Sequence, residues 1–404
     1  MPREYLKEVL VLSACYVGID VSKDTASAQG LSPEGKKLFF IEFSMNAEGF
    51  SKLMSAVQSS CKDLSKVTAA MESTGCYHTN LFCFLSDKIQ CFVINPLLIA
   101  NFSKLSLRKT KTDKKDALTI AQFLLLHKDS LSKAAPAQGL QDIKDLAREK
   151  ESLTWLIAGL KNDIKRMLQI TFPELESFCK QLFTETMRDF LKQFPSARTV
   201  RAAKRNSIVK ALVHADGRKR VIGDPDELIG LAKSSVASGS AAKELILPEK
   251  IATLDHLIEQ RERISEALVE ACQALMIEDI EIITSIGGIS DATASSFLAE
   301  VGDYKAFPSY KHLIAFVGLD PSVRQSGKFE GKSRISKRGN RHLRHLIYLM
   351  TSCVVRGDNI FRAYYLRRRT EGLPFKKAIL ATAHKLLRVI FSMLQSKKPF
   401  EARG

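Results

Sequence analysis

Apolar residues in the first hundred positions come in short runs spaced for strands; beyond position 140 they recur in the three-four steps of long helices. Tyr16-Val17-Gly18-Ile19 is closed by Asp20, and Val67-Thr68-Ala69-Ala70-Met71 is closed by Glu72. Short apolar runs bounded by polar stretches predict buried β-strands. The same pattern predicts strands near 15–20, 24–30, 37–44, 67–72 and 90–94, and helices near 47–60 and 78–86. The first three strands are close enough for antiparallel hairpins, with Glu34-Gly35 as a turn. The later two, separated by a helix, are expected to run parallel. Asn95-Pro96 ends the last strand, and residues 97–112 read as a basic, partly irregular connection into a helix starting near Asp113.

Residues 140–170 predict one long helix, in which Leu146, Leu153, Leu160 and Met167 recur every seven positions and Leu156 and Ile164 fill the other seam. A second, over 249–277, carries Leu254, Leu257, Ile264, Leu268, Ala271 and Leu275 in three-four spacing. Two such helices predict either a coiled-coil arm or dimer zipper, or packing within one chain. Trp155, the only tryptophan, is expected to be a packing residue. Residues 172–248 read as short helices forming an inserted tip. The expected architecture is therefore α/β plus mostly α, in three parts. A mixed-sheet domain over 1–138 has the β-β-β-α-β-α-β order of ribonuclease H-like nucleases. Coiled-coil helices with their tip occupy 139–278, and a basic helical domain 279–404.

Charge changes this picture. The chain has 404 residues and a formal net charge of +17. Residues 305–404 hold 22 Lys and Arg against 5 Asp and Glu, an excess as large as the net charge of the whole chain. So lopsided a segment suits a polyanion, and nucleic acid fits best. The eight cysteines never form Cys-x-x-Cys, which favours reduced thiols in a cytoplasmic protein over a zinc ribbon or disulfide framework. No N-terminal signal peptide is evident, and no apolar run approaches the length of a membrane span, so no membrane partner is expected. No Gly-x-x-x-x-Gly-Lys-[Ser/Thr] phosphate loop appears, which disfavours nucleotide hydrolysis.

Four carboxylates are the first candidate chemistry. Asp20 and Glu72 close predicted strands, and Asp113 and Asp116 stand three apart at a helix start, on one helical face. Acids gathered this way repel unless a cation lies among them, and Mg²⁺ prefers such oxygen donors. Two ions on the set would suit phosphoryl transfer.

The second candidate lies in the basic segment. Ser326 precedes a Gly-rich loop, with Arg324, Lys328, Arg334, Lys337, Arg338, Arg341 and Arg344 close by in sequence. A serine hydroxyl is a weak nucleophile unless activated; converging cations stabilise a pentavalent phosphate. By chemistry alone Ser326 reads first as a phosphate-contacting serine, with a covalent nucleophile as the alternative. Gly287-Gly288, ahead of a helical stretch at 290–301, resembles the turn of a helix-hairpin-helix, in which backbone N–H groups approach a DNA phosphate; an ordinary inter-helix turn is the competing reading. Tyr364-Tyr365 before Arg367-Arg368-Arg369 reads either as a nucleic-acid grip or as a solvated helix end. His78, His312, His342, His345 and His384 are dispersed and expected to serve surface or packing roles.

Gly18-Ile19-Asp20-Val21-Ser22-Lys23, Glu72-Ser73-Thr74-Gly75 and Lys111-Thr112-Asp113-Lys114-Lys115-Asp116-Ala117, followed by Ser285-Ile286-Gly287-Gly288-Ile289, Pro321 to Gly327 and Ile335-Ser336-Lys337-Arg338-Gly339-Asn340, together resemble the DEDD-type insertion-sequence transposases, a family of bridge-RNA-guided serine recombinases. The resemblance covers nearly the whole chain. It implies a RuvC-like domain, a coiled-coil connection and a serine-bearing transposase domain. By it, Asp20, Glu72, Asp113 and Asp116 would bind metal, Mg²⁺ in two sites, and Ser326 would join covalently to a DNA phosphate. It further implies a homo-oligomer, dimer or tetramer, and a structured guide RNA pairing with donor and target DNA. The family's proline before the second glycine of the hairpin is absent here, where Gly287 precedes Gly288. The competing functions are a metal-dependent Holliday-junction or structure-specific endonuclease with no covalent serine step, and a non-catalytic nucleic-acid scaffold.

Overall fold

The computed structural model describes residues 14–72, 76–94, 96–103, 113–131, 138–213, 222–322, 325–326, 329–330 and 334–401; the side chains at 97, 101, 113, 130, 138, 321, 322, 325, 326, 329, 330 and 334 lie outside that description. The chain forms two compact units, residues 1–136 and 137–404.

The first unit is a five-stranded mixed sheet in the order β3-β2-β1-β4-β5. Its strands are β1 (Cys15–Val21), β2 (Thr25–Leu31), β3 (Lys37–Ser44), β4 (Val67–Glu72) and β5 (Gln90–Ile94). Its helices are α1 (Ala47–Ser60), α2 (His78–Ser86), α3 (Pro96–Ser103) and α4 (Asp113–His127). The first three strands pair antiparallel, whereas β1–β4 and β4–β5 pair parallel, as their spacing predicts. The β2–β3 turn holds Gly35 at φ 78°, where glycine is favoured. The connection after β5 is more regular than expected: residues 96–103 are helical, with Pro96 at the first position, where no backbone donor is needed. Order and pairing are compatible with the ribonuclease H-like layout.

Strand alternation sorts the side chains onto two faces. Val17, Ile19, Ala69 and Met71 share a buried cluster with Phe50, Leu53 and Val57 of α1 and Leu81 and Leu85 of α2. The alternate positions carry Tyr16, Gly18 and Asp20 on β1, and Ala70 and Glu72 on β4. That face is covered by α4, whose Ile120, Phe123 and Leu124 pack with Ala70, Phe92 and Ile94. Gly18 decides how closely the helix approaches. A Cβ there would lie 2.1 Å from the Ala121 N and 2.3 Å from the Ala117 O.

In the second unit, α5 (Gln138–Thr171) and α11 (Ala241–Thr284) lie side by side. Ile143 and Ala147 share one core with Leu268 and Cys272, while Ile164 and Leu168 share another with Leu247, Ile251 and Leu254. The helices are therefore antiparallel and packed within one chain. The tip core is completed by α6 (Leu175–Phe178), α7 (Glu185–Gln193), α8 (Ala197–Ala202), α9 (Arg205–Ala211) and α10 (Pro225–Ser234).

Two sequence expectations need correction here. Leu156 and Leu275 are 55% and 57% exposed, and Trp155 is 59% exposed with its ring tilted against His345. The other predicted positions do face the cores: Leu153, Ile164 and Met167 are buried and Leu146 and Leu160 pack against the two clusters, while Ile143, Ala147, Ile157 and Leu168 complete the buried stripe of α5. Strict seven-residue spacing drifts around a straight helix, and a period nearer 3.6 follows the packed face. The second long helix also exceeds 249–277 at both ends. Ser240 caps its start, Pro248 lies inside it, and non-helical backbone at Met276 (φ −146°, ψ 37°) kinks it.

The remaining helices, α12 (Asp291–Val301), α13 (Tyr310–Val317), α14 (Arg341–Val354), α15 (Ile360–Thr370) and α16 (Phe375–Ser396), share the core of the α5 start and the α11 end. Contrary to the sequence expectation, α16 is long and apolar enough to span a bilayer by length and composition. Its Ala383, Leu386, Leu387 and Ile390 are fully buried in that core.

Substituting Gly18→Ala should force α4 off the sheet and cost about 1–3 kcal/mol, as overpacking does. Thermal unfolding of the full-length protein checks this; an unchanged melting temperature would mean that α4 does not rest on Gly18.

Candidate active site

The first candidate site begins at the carboxyl ends of two adjacent parallel strands. Ile19 pairs with Met71, so Asp20 and Glu72 follow at the same level on the same face of the sheet. Each is half-buried, and each has a partner. The direction of α4 brings the other two positions to this end. Its Ala117 and Ala121 lie on Gly18, while Lys128, just past its far end, has its Nζ 5.4 Å from the Tyr16 ring. The helix therefore runs opposite to β1, and its first turn points toward the strand ends. Asp113 opens that turn and Asp116 follows, half-buried, on the stripe continued by Ala117, Ile120 and Leu124. The side chain of Asp113 lies outside the described residues.

Every potential donor in this set is a carboxylate oxygen, which fits a hard divalent cation rather than zinc or copper. Among the described residues, a group that excludes the Asp113 side chain, no three acids, histidines or cysteines are drawn together at coordinating distance.

The second candidate site is the serine loop. Ser326 lies in β7 (Gln325–Ser326), paired with β8 (Phe329–Glu330). Outside this hairpin, β6 (Pro321–Ser322) pairs with β9 (Arg334–Ile335) and closes the loop. Its two feet are fastened together. Ser336 N donates to Asp320 O at 2.8 Å, Lys337 N to Gly318 O at 3.1 Å, and Asn340 N to Phe316 O at 2.7 Å. The Ser336 hydroxyl also donates to Asp320 Oδ1 at 2.5 Å. Gly339 is needed at this crossing, because a Cβ there would lie 2.1 Å from Phe316 O.

A buried carboxylate steadies the clamp. Glu300, 4% exposed, accepts from Arg148 Nε at 2.9 Å and from Asn340 Nδ2 at 2.6 Å. Asn340 Oδ1 in turn caps α14, accepting from His342 N and Leu343 N at 2.9 and 3.1 Å. Burial raises the Glu300 pKa, but the hydrogen bonds from Arg148 and Asn340, with the charges of Arg148 and Lys144, outweigh it and hold the carboxyl below the usual range.

The predicted phosphate contacts divide. Lys337, Arg338 and Arg341 are exposed beside the clamp. Arg344 instead turns inward and donates to Val317 O at 3.0 Å, a structural staple. Arg324 and Lys328, and the side chains of Arg334 and Ser326, lie outside the described residues. Gly287 is open, whereas Gly288, at φ 96°, presses on α14, where a Cβ would lie 3.2 Å from Val354 Cα. Its positive φ and this packing against α14 both favour glycine at 288. Of the histidines, His342 contacts Glu151, His312 contacts Ser309, and His384 Nε2 donates to Leu319 O at 3.1 Å. Glu300 and Arg148 carry no sequence signal, being single charges on long helical patterns; Asn340 does, as an Asn just before an apolar-periodic helix.

Residues 17–173 match the DEDD-type IS110 family model described as "Transposase", and residues 280–366 match the model described as "Transposase IS116/IS110/IS902 family". The chain belongs to the IS110 family of transposases. The 44.8 kDa protein of insertion element IS116 from Streptomyces clavuligerus is 27% identical over 95% of this chain and 96% of its own. The 43.6 kDa protein of IS110 from Streptomyces coelicolor is 23% identical, covering 96% of each chain. The pilin gene-inverting protein of Moraxella bovis is 24% identical over 97% of this chain and 99% of its own. The transposase is thus a DNA transposase/recombinase, and its DEDD-type domain implies the use of a divalent metal.

The Glu300 arrangement gives a pH test on the transposase. Its folded-state pKa lies below the ordinary 4.5. Its contribution to stability is therefore present above that value and lost as pH falls through the lowered one. The stability difference between wild type and Glu300→Gln in urea melts should shrink on acidification below this range; a difference that grows would overturn the assignment.

Proposed function

We propose that this transposase cleaves and rejoins DNA strands with Ser326 as the nucleophile and Asp20, Glu72, Asp113 and Asp116 as the divalent-metal set. The observation that carries the reading is the placement of Asp20 and Glu72 side by side on one sheet face, with the first turn of α4 directed at them. The all-oxygen donor set favours Mg²⁺, in two sites; when bound, it would polarise the phosphate and neutralise charge on the leaving oxygen.

The chain's own residues do the rest. Ser326 Oγ attacks the scissile phosphorus. The Oγ–P bond forms as the P–O3′ bond breaks, and the hydroxyl proton ends on the released 3′ oxygen. The number of phosphodiester bonds is conserved, so a second exchange reseals strands with no nucleotide cofactor. Lys337, Arg338 and Arg341, exposed beside the clamped feet of the loop, supply positive charge for the strand. The clamp of Ser336, Lys337 and Asn340 on residues 316–320 fixes where the loop is presented.

The family resemblance supports a structured guide RNA that pairs with donor and target DNA, and assembly as a dimer or tetramer. Work on DNA fits a bacterial cytoplasmic location. The metal-only endonuclease is the competing reading, and Ser326 separates the two.

Labelled donor and target DNA, incubated with Mg²⁺ and the RNA transcribed beside the gene, provides the test on a denaturing gel. Wild type should give a protein–DNA adduct that resists denaturation and is absent in both Ser326→Ala and Asp20→Ala. Cleavage that survives Ser326→Ala but not Asp20→Ala would establish the metal nuclease instead.

A further inference from the structure

A groove in the second unit, formed by α13, α15 and α16, is not used in the chemistry above. It encloses about 330 Å³ and is lined by Tyr310, Tyr364, Arg367, His384, Lys385 and Arg388 with two apolar residues; no carboxylate lines it. Tyr364 holds two of the cations in place. Arg367 Cζ and Lys385 Nζ each lie 5.1 Å from its ring centroid. Lys385 Nζ also donates to Ile360 O at 3.4 Å.

The cations are poorly neutralised. Among the described residues, neither Lys385 nor Arg388 makes an ion pair. Arg367 reaches Glu371 only at 3.8 Å, and Glu371 is also held by Arg368 at 2.5 Å. Burial lowers the Lys385 pKa, and the positive charges of Arg367 and Arg388 lower it further. Like charges held together at such a site are relieved by an anion, and a protein that acts on DNA meets phosphodiesters first. The groove also touches the serine-loop clamp, because His384, in its wall, donates to Leu319 O beside Asp320.

We propose that this groove is a second nucleic-acid site, which takes consecutive phosphodiester groups of one strand on Arg367, Lys385 and Arg388. The site deepens the DNA reading above and stands on binding alone, so it can fail while serine chemistry holds, and the reverse. The same phosphodiester chemistry is offered by a DNA strand and by an RNA strand; the probes below separate them.

The experiment measures fluorescence anisotropy of full-length protein with labelled single-stranded DNA, duplex DNA and RNA of one sequence, over a range of salt. Lys385→Gln/Arg388→Gln is compared with Lys376→Gln/Lys377→Gln, which removes the same charge from exposed positions on the same helix. The groove pair should weaken at least one probe by about tenfold more than the control. For a single strand it should also flatten the plot of log Kd against log salt by about 0.7 for each phosphate no longer neutralised. Arg388→Lys should retain most of the binding. Since Lys385 is half-buried, circular dichroism is taken alongside, and Arg388→Gln alone, at an exposed position, serves if the pair misfolds. The probe that loses affinity identifies the strand. Equal losses in groove and control variants for every probe would overturn the site.

Discussion

Much of the first unit depends on a backbone-to-backbone contact, the seating of α4 on Gly18 of β1. With no side chain between them, the helix comes nearer the sheet than a Cβ would allow. Its antiparallel course then aims its first turn at the ends of β1 and β4. The start of a helix carries the positive end of the helix dipole. Acids near it are better tolerated than they would be on open sheet. The contact that packs the helix thus also turns the chain positions of Asp113 and Asp116 toward the strand ends that carry Asp20 and Glu72.

The second unit solves a different problem, fastening the feet of a basic loop while cations beside it stay exposed. Of the cations around the loop, Arg344 is spent inward on backbone carbonyls, while Lys337, Arg338 and Arg341 remain at the surface. Glu300 is the buried counterpart. A lone buried carboxylate would be costly, but Arg148 and Asn340 satisfy it, and through Asn340 it fixes the start of α14. The clamp therefore links a long helix of the arm to the foot of the serine loop through three side chains.

The sheet was legible because its strands alternate, and because Asp20 and Glu72 each break an apolar run at its end. Register, which puts those two acids at one level, follows from pairing partners far apart in sequence and could only be guessed. The long helices were visible by their periodicity, and most of the α5 seam lies on the packed side; Leu156 was misplaced because the packed face follows Ile157. Pro248 hid the true start of α11, since proline usually marks an end rather than an interior. Glu300 and Arg148 were invisible because a buried ion pair is made by tertiary contact, not by local pattern. Gly288 was readable as a turn glycine, yet its neighbour on α14 was not.

The paired feet of the serine loop set a limit in space. Ser326 stands four residues beyond Ser322, which is held against Arg334. Four residues of fully extended chain span at most about 14 Å, so its Cα stays within that radius of the clamp by whatever path the intervening residues take. On the proposed reading the Ser326 hydroxyl is a reagent on a short tether, which keeps its effective concentration near Lys337, Arg338 and Arg341 high. Lengthening the tether would dilute the hydroxyl, whereas loosening the feet would move the centre of the sphere it can reach.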